Sequence, residues 1–218
     1  MTSRRTPAPP CFDATFQASL RELILWRRDV RRFKTEPVNP ELISSLIELA
    51  ASAPSVGHCQ PWRFVLVEHR SCRDEIKASF SRANADALEG FSGERRRTYA
   101  RLKLEGLEAA PVHLAIFADE STNAGSGLGR QTMPESLRYS VVAAIQTLWL
   151  AARAHGLGVG WVSILEPERV AVALEVPKAW SLVAYLCLGW PQEEHVDPEL
   201  DRKGWQSKIE AEKLTFRR

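Results

Sequence analysis

The chain has 218 residues, of which 44% are hydrophobic and 26% charged, a composition typical of one globular domain with a substantial core. A net charge of only +2 argues against a protein built to bind nucleic acid or a membrane surface. The sequence shows no secretory pattern at its start, no run of the ~18 apolar residues that a membrane span needs, and no cysteine spacing suited to zinc or a disulfide framework. These features predict a cytoplasmic protein.

Helices are predicted where apolar residues recur every three or four positions. This spacing indicates helices over residues 12–26, from Pro40 to before Pro54, after Ser71, over residues 134–156 and near Pro167. Asn39 ahead of Pro40 is typical of a helix start, and Gly156 is typical of a helix stop. Ser71 with Asp74 is typical of a capping box that opens the third helix.

Strands are predicted at four short segments rich in β-branched, aromatic and other apolar residues: 62–67, 112–117, 159–165 and 181–190. Because helices separate these strands and no linker divides the chain, we expect one α+β or α/β domain over residues 13–218, with helices on both faces of its sheet. A Pro-rich, disordered extension over residues 1–12 is expected to precede it. Residues 82–109 are poor in apolar side chains and are expected to form a lid, and a polar arm begins at about residue 191.

Four arginines surround one aspartate in the sequence WRRDVRRF, residues 26–33. Arginine offers a planar fork of donors that suits phosphate, so one interpretation is an anion clamp. The alternative is a solvated surface cluster in which Asp29 is only a charge partner, and spacing alone favours that alternative. A second cluster, residues 95–97, is open to the same two interpretations.

Two further polar spots lie beside predicted strands. The loop APSVGHCQPWRFV, residues 53–65, places several hydrogen-bonding groups just ahead of a strand, where they either cap chain ends or meet a ligand. Ser163 within GWVSIL is, taken alone, typical of a satisfied strand serine. The chain has no dinucleotide fingerprint, no P-loop and no nucleophile elbow, and its histidines lack metal-ligand spacing.

Four motifs follow one another along the chain: RRDVR at 27–31, APSVGHCQPWRF at 53–64, HGLGVGW at 155–161 and LGWP at 188–191. Taken together they resemble the FMN-dependent nitroreductase superfamily, and the resemblance covers about residues 20–205. It implies an α+β fold with three α/β/α layers and a central mixed, mostly antiparallel sheet. It also implies a homodimer whose two subunits share each flavin site.

Within that superfamily the chain is most similar to a flavin-fragmenting branch. The segments that carry this similarity are RRDVRRF, FSGERRRTYARLKLEG, LGRQTMPE and LWLAARAHGLGVGWVSIL. That branch has aspartate at the position of Asp29, where ordinary nitroreductases usually have a small hydroxyl residue. The resemblance implies that reduced FMN is a substrate and O2 a co-substrate. The implied products are 5,6-dimethylbenzimidazole, the lower ligand of cobalamin, and erythrose 4-phosphate, and a separate flavin reductase is the expected source of reduced FMN.

Carried over motif by motif, the resemblance predicts which residues hold the flavin. Arg27, Arg28 and Arg31 are expected at its phosphate and ribityl end, with Arg202 of the tail as an addition. The residues expected to contact FMN from loops and turns are Pro54, Ser55, Gly57, Gln60, Leu128 and Gly129. The asparagine common in the first of these loops is replaced by His58 or its neighbour, so that contact has no direct counterpart.

Two of the expected flavin contacts are also expected to be catalytic. Asp29 is the predicted general acid or base for steps on the ribityl side of the flavin, and Ser163 is expected beside the ring edge where oxygen reacts. No metal is implied. Two other functions stay open: an NAD(P)H-dependent nitro- or quinone reductase with recycled FMN, against which Asp29 argues, and a non-catalytic flavin-binding or flavin-delivery module.

Overall fold

A computed structural model of the chain describes residues 8–100, 102 and 105–218. Its helices are α1 (Ala14–Trp26), α2 (Pro40–Ala51), α3 (Arg70–Glu89), α4 (Gly93–Ala100), α5 (Gly106–Ala109), α6 (Ser136–Ala154), α7 (Pro167–Ala173) and α8 (Glu199–Arg202). Its strands are β1 (Trp62–Leu66), β2 (Val112–Asp119), β3 (Gly158–Val162) and β4 (Trp180–Gly189). Within these residues no helix combines the length and the apolar character needed to cross a bilayer.

Two predicted helix ends are confirmed and one is wrong. Asn39 caps α2, because its side-chain oxygen accepts the N–H of Glu41 at 2.8 Å. Gly156 follows α6 in the left-handed conformation, with φ of 77°. The capping box at Ser71 is wrong, because α3 already begins at Arg70 and its cap position makes no side-chain hydrogen bond. Asp74 instead lies 3.8 Å from the guanidinium of Arg70, one turn earlier.

The four strands form one sheet in the order β1-β2-β4-β3, and all three ladders are antiparallel. The one parallel pairing within the described residues is an isolated bridge between Asp29 and Val159. The predicted α+β class with a mixed, mostly antiparallel sheet is therefore confirmed. β3 ends at Val162, three residues before the predicted end, so Ser163 lies just past the strand and is exposed rather than inside it.

The central strands β2 and β4 feed two cores because their side chains alternate between the faces of the sheet. Leu114 and Ile116 of β2 pack with α2 and α6 on one face. Phe117 and Tyr185 lie on the other face with residues of α3, α5 and α7. Helices thus cover both faces, as expected of three α/β/α layers.

The backbone of Asp29 and Val30 lies against the open edge of β3, whereas residues 32–34 pair with residues 190–192 just beyond β4. Val30 N–H donates to Val159 O at 3.0 Å. A side chain at Gly160 would collide with the carbonyl oxygen of Val30, and one at Gly158 would come within 2.8 Å of the Val30 side chain. The two glycines of the motif HGLGVGW therefore make room for the arginine segment.

The segment predicted as a lid divides into parts with different surroundings. Residues 82–89 are the second half of α3, and Gly106 and Leu107 of α5 are buried. Between them, α4 has no buried residue. Residues 101, 103 and 104 of the same segment lie outside the described residues, as do residues 1–7 of the predicted extension. The lid and the disordered extension stay predictions.

Replacement of Gly160 by alanine tests whether the approach of Val30 depends on the absence of a side chain. Gly160→Ala is expected to lower the free energy of unfolding by about 1–3 kcal/mol, the usual cost of overpacking. Urea denaturation measures this. Gly90→Ala is the control, because a Cβ there meets its nearest atom, Ala87 O, at an ordinary 3.4 Å. Equal stability of the two variants would contradict the account.

Protonation of His113 is expected to weaken the fold below neutral pH. His113 is buried with its Nδ1 2.8 Å from the hydroxyl of Tyr185, and burial, followed by the charge of Arg73, lowers the pKa of His113 to about 4. The unfolded chain, with an ordinary histidine pKa of about 6.5, binds a proton first, so stability falls as pH drops from 6.5 towards 4. Between pH 7 and pH 5 the expected loss is about 2 kcal/mol.

Denaturant unfolding at a series of pH values measures this loss. The control is the double variant His113→Leu, Tyr185→Phe, which has neither the imidazole nor its hydroxyl partner. Its stability is expected to change less over the same interval. Parallel curves for the two proteins would remove His113 as the cause.

Candidate active site

The sequence-predicted arginines meet the C-terminal arm in one recess, which we call the arginine recess. Two stretches of chain line it, 28–32 and 193–202. Its polar lining residues are Arg28, Asp29, Arg31, Arg32, Glu193, His195, Asp197, Glu199 and Arg202. Arg202, predicted from the resemblance, is thus brought to Arg28 and Arg31. The carboxylates of the arm were not singled out from the sequence, although the acid-rich run QEEHVDPEL right after the last strand is a signal that indicates them.

Asp29 is fixed to the edge of β3 by its own side chain. The backbone N–H of Trp161 donates to Asp29 Oδ1 at 2.9 Å. The second carboxylate oxygen lies 3.6 Å from Arg31 Nε, and 39% of the side-chain surface stays exposed. Burial raises the pKa of the Asp29 carboxyl above its usual range, against the Trp161 N–H and the Arg31 charge, which lower it. The carboxyl is therefore suited to hold a proton at a higher pH than an ordinary aspartate.

Most arginines of the recess already have partners on the arm. Arg28 Nε donates to Val196 O at 2.9 Å, and Arg32 Nε donates to Glu193 at 2.6 Å. Arg202 Nη1 lies 3.2 Å from an Asp197 carboxylate oxygen. Positive and negative groups alternate, so the interpretation of a charge-paired cluster has direct support beside that of an anion clamp.

Arg27 lies next to the recess on the side of α6. Its guanidinium stacks over the ring of Trp149 at 5.0 Å from the ring centre. The Trp149 indole N–H donates to Arg28 O at 3.2 Å, which fixes the start of the arginine segment to α6. Trp149 was not predicted as a site residue, since a tryptophan within an apolar helix indicates only core packing.

A second group of predicted residues is brought together by two interlocked loops, 53–60 and 124–129, which we call the loop pair. A side chain at Gly57 would come within 2.6 Å of Leu128 O, and one at Gly129 within 2.9 Å of Val56 Cγ2. Gly57 has φ of 54°, in the left-handed region that glycine tolerates. Pro54 precedes this contact in the same loop. The close packing explains why glycines recur in both loops.

The polar groups of the loop pair both bond within the chain and reach solvent. Ser55 Oγ accepts the N–H of Gln60 at 3.1 Å, a hydrogen bond within the loop, and makes no side-chain cap to the short helix that follows it. Exposed His58 and Gln60 both have left-handed backbones, with φ of 53° and 46°. Such conformations are uncommon outside glycine and often mark binding sites. Ser140 of α6 supports the loop, because its Oγ accepts the N–H of Val56 at 3.0 Å.

The loop pair and the arginine recess lie at different levels of α6. Ser140 contacts the first and Trp149 the second, and these two residues are nine positions apart, roughly 13–14 Å along the helix. Ser163 comes just past the end of β3 and is not among the residues that line the recess. It follows Trp161 by two residues, and the Trp161 N–H binds Asp29. The arrangement joins a carboxyl of raised pKa, a hydroxyl and several guanidinium groups along one sheet edge.

Comparison with known proteins finds a family and a set of relatives. The model of the family described as "Nitroreductase family" matches residues 24–190. A protein of Rhodospirillum rubrum named 5,6-dimethylbenzimidazole synthase is 57% identical over 199 residues, which cover 91% of this chain and 94% of the relative. A protein of the same name from Rhodobacter capsulatus is 43% identical over 201 residues, covering 92% and 97%.

Among solved structures, iodotyrosine deiodinase bound to FMN and 3-iodo-L-tyrosine superposes on this chain with a TM-score of 0.68. The two are 26% identical, and the match covers 81% of this chain and 91% of the deiodinase. The same architecture therefore holds FMN in that protein, together with 3-iodo-L-tyrosine.

Proposed function

The chain belongs to the nitroreductase family, and we propose that it cleaves reduced FMN with O2 to 5,6-dimethylbenzimidazole and erythrose 4-phosphate. Relatives with the name 5,6-dimethylbenzimidazole synthase, 57% and 43% identical over nearly the whole of each chain, support this activity over that of a reductase with recycled FMN. The observation that carries the proposal in the structure is the Asp29 carboxyl, bound to the Trp161 N–H at the edge of the arginine recess.

The residues of the recess and the loop pair fit FMN. Its phosphate and ribityl hydroxyls need cationic and polar donors, which Arg27, Arg28, Arg31 and Arg202 supply. Arg31 Nε is buried and has no hydrogen-bond partner among the described residues, so it is a donor that a ligand oxygen would satisfy. A phosphate or ribityl oxygen of FMN is an acceptor of the kind that this N–H lacks.

The flavin ring needs a few fixed hydrogen bonds within a mostly apolar surface. The loop pair offers these through the backbone around Gly57 and Gly129, the side chains of Ser55 and Gln60, and the exposed apolar side chain of Leu128. Pro54 would give the ring an apolar contact. Iodotyrosine deiodinase, which shares this fold, binds FMN.

We assign each flavin site to two copies of the chain. The recess and the loop pair are separated along α6, and α1 buries none of its residues within the chain. Phe16, Leu20 and Ile24 stand exposed on that helix, a contiguous apolar side of the kind that a second subunit covers. In such a homodimer the recess of one copy and the loop pair of the other would hold one flavin.

Two side chains of the sheet edge would then act on the flavin. When bound, reduced FMN supplies the electrons that activate dioxygen and the carbon atoms of the product. Asp29, whose pKa burial raises, would donate or accept protons on the ribityl side. Ser163, exposed just past β3, would place a hydroxyl where the oxygen reacts.

The proposed reaction needs a supply of reduced FMN. Reduced FMN reacts with air, so a separate flavin reductase would have to deliver it.

All four cysteines, Cys11, Cys59, Cys72 and Cys187, are free thiols, which supports a reducing compartment such as the cytoplasm.

The proposal is tested with photoreduced FMN, air and the protein, followed by chromatography of the products. The wild-type protein is expected to form 5,6-dimethylbenzimidazole. Asp29→Asn keeps an oxygen for the Trp161 N–H, so it is expected to fold and bind FMN but to form product roughly 10²–10⁴-fold more slowly, as for the loss of a general acid or base. Ser163→Ala is expected to consume reduced FMN while yielding less product.

Each outcome separates the candidate functions. Loss of FMN binding in Asp29→Asn would identify Asp29 as a structural charge partner, and equal yields from Ser163→Ala and the wild type would remove Ser163 from the reaction. A wild-type protein that returns all of its FMN intact would contradict the proposed function. Turnover of nicotinamide with nitro compounds would then identify a reductase.

A further inference from the structure

Glu199 differs from the other carboxylates of the C-terminal arm because it is enclosed in the arginine recess. Its side chain is 11% exposed, against 43% for Glu193 at the rim. Its two oxygens face two different arginines, at 3.6 Å from Arg32 Nη1 and 3.8 Å from Arg31 Nε. Because water screens an enclosed charge less, this carboxylate attracts the neighbouring guanidinium groups more strongly than an exposed carboxylate would.

Arg31 Nε lies between two carboxylates and is bonded to neither. It is 3.6 Å from Asp29 Oδ2 and 3.8 Å from Glu199 Oε2, both longer than a hydrogen bond. Nε carries one N–H, and that N–H is buried without a partner among the described residues. A shift of a fraction of an ångström would complete a bond to one carboxylate and lengthen the distance to the other.

We propose that Glu199 is a positioning residue that holds Arg31 midway between the two carboxylates and so prevents Asp29 from closing a full ion pair with Arg31. The proposal rests on the proposed role of Asp29 in the reaction. Without the Glu199 charge, Arg31 would be attracted by Asp29 alone. The resulting charge-assisted hydrogen bond would favour the ionised carboxylate and lower the pH range in which Asp29 can donate a proton.

The other charged and titratable groups around Asp29 do not take this role. Arg27 and Arg31 lie on its own segment and favour the ionised form. The Cys187 thiol of β4 is buried, which raises its pKa to about 12, so it stays neutral. Arg28, Arg202 and His195 add positive or titratable groups at the rim of the recess. Among these groups, Glu199 is the carboxylate whose negative charge raises the pKa of Asp29.

The position of Glu199 is fixed from the side opposite the recess. Pro198 precedes it with the restricted φ of proline, and the Trp205 N–H folds back to Leu200 O at 2.8 Å. The Trp205 ring packs edge-on against Phe91 at 5.3 Å, and the Arg95 guanidinium stacks over the ring at 4.5 Å. α8 is thereby held between α4 and the recess, so Glu199 keeps its position if Arg31 shifts towards Asp29.

The test is an NMR titration of the Asp29 carboxyl in the FMN-free protein labelled with 13C-aspartate, with the signal assigned by its absence in Asp29→Asn. In Glu199→Gln, which keeps the size and removes the charge, the titration midpoint of Asp29 is expected to move to lower pH. Glu193→Gln makes the same change of charge at the exposed rim and is expected to leave the midpoint where it is. Glu199→Asp, which keeps the charge, is expected to restore most of the wild-type midpoint.

An unchanged or higher midpoint in Glu199→Gln, or an equal shift in Glu193→Gln, would overturn the proposal. If Glu199→Gln does not fold, Glu199→Ala takes its place, because it also removes the charge. The Asp29 midpoint is again expected to fall, and an unchanged midpoint would overturn the proposal.

Activity measurements separate this inference from the proposed function. If product is formed, the limb of the pH–rate profile that titrates with Asp29 is expected to move with the NMR midpoint. A shifted midpoint in a protein that forms no 5,6-dimethylbenzimidazole would support the positioning role and contradict the proposed function.

Discussion

The structure depends on the close approach of Asp29 and Val30 to the open edge of β3. Gly158 and Gly160 permit it, because a side chain at either would occupy the space of Val30. The approach pairs Val30 with Val159 and brings the Asp29 carboxylate to the Trp161 N–H. An edge strand that would otherwise expose unpaired backbone groups is thereby covered by the segment that carries the arginines. Fold and candidate site thus share the same hydrogen bonds.

Charge balance in the arginine recess offsets the mutual repulsion of its guanidinium groups. Most of its guanidinium groups bind a carboxylate or a backbone carbonyl of the arm, as Arg32 does with Glu193 and Arg28 with Val196. Exposed ion pairs of this kind contribute only about 0–1 kcal/mol each. In the proposed function, the phosphate of FMN would replace the exposed partners at little cost, whereas the enclosed Glu199 would stay beside Arg31.

Much of the architecture could be predicted from the sequence because its elements are marked locally. The apolar run of β2 and the cap at Asn39 belong to single segments, and each is found where expected. The errors come from tertiary structure. α3 begins before Ser71, and β3 stops before Ser163, since helix and strand ends depend on partners elsewhere in the chain. The expected flavin contacts came only from the family resemblance.

The acidic half of the recess shows why local signals were insufficient. Glu199 lies 168 residues after Arg31, and no spacing rule connects an arginine near the first helix with a carboxylate beyond the last strand. The proposed role of Glu199 depends on its enclosure within the recess, and a run of polar residues in the sequence does not indicate which side chain will be enclosed. The glycines of β3 are similar, because their function is to accommodate Val30, a residue far away in the chain.

The central claim is that the Asp29 carboxyl lies against the bound flavin, and a crystal structure of the protein with reduced FMN under anaerobic conditions tests it most directly. The expected result is the phosphate among the arginines of the recess, with an Asp29 oxygen within hydrogen-bond distance of the ribityl chain or the ring. A flavin bound elsewhere, with Asp29 contacting only Trp161 and Arg31, would contradict the account.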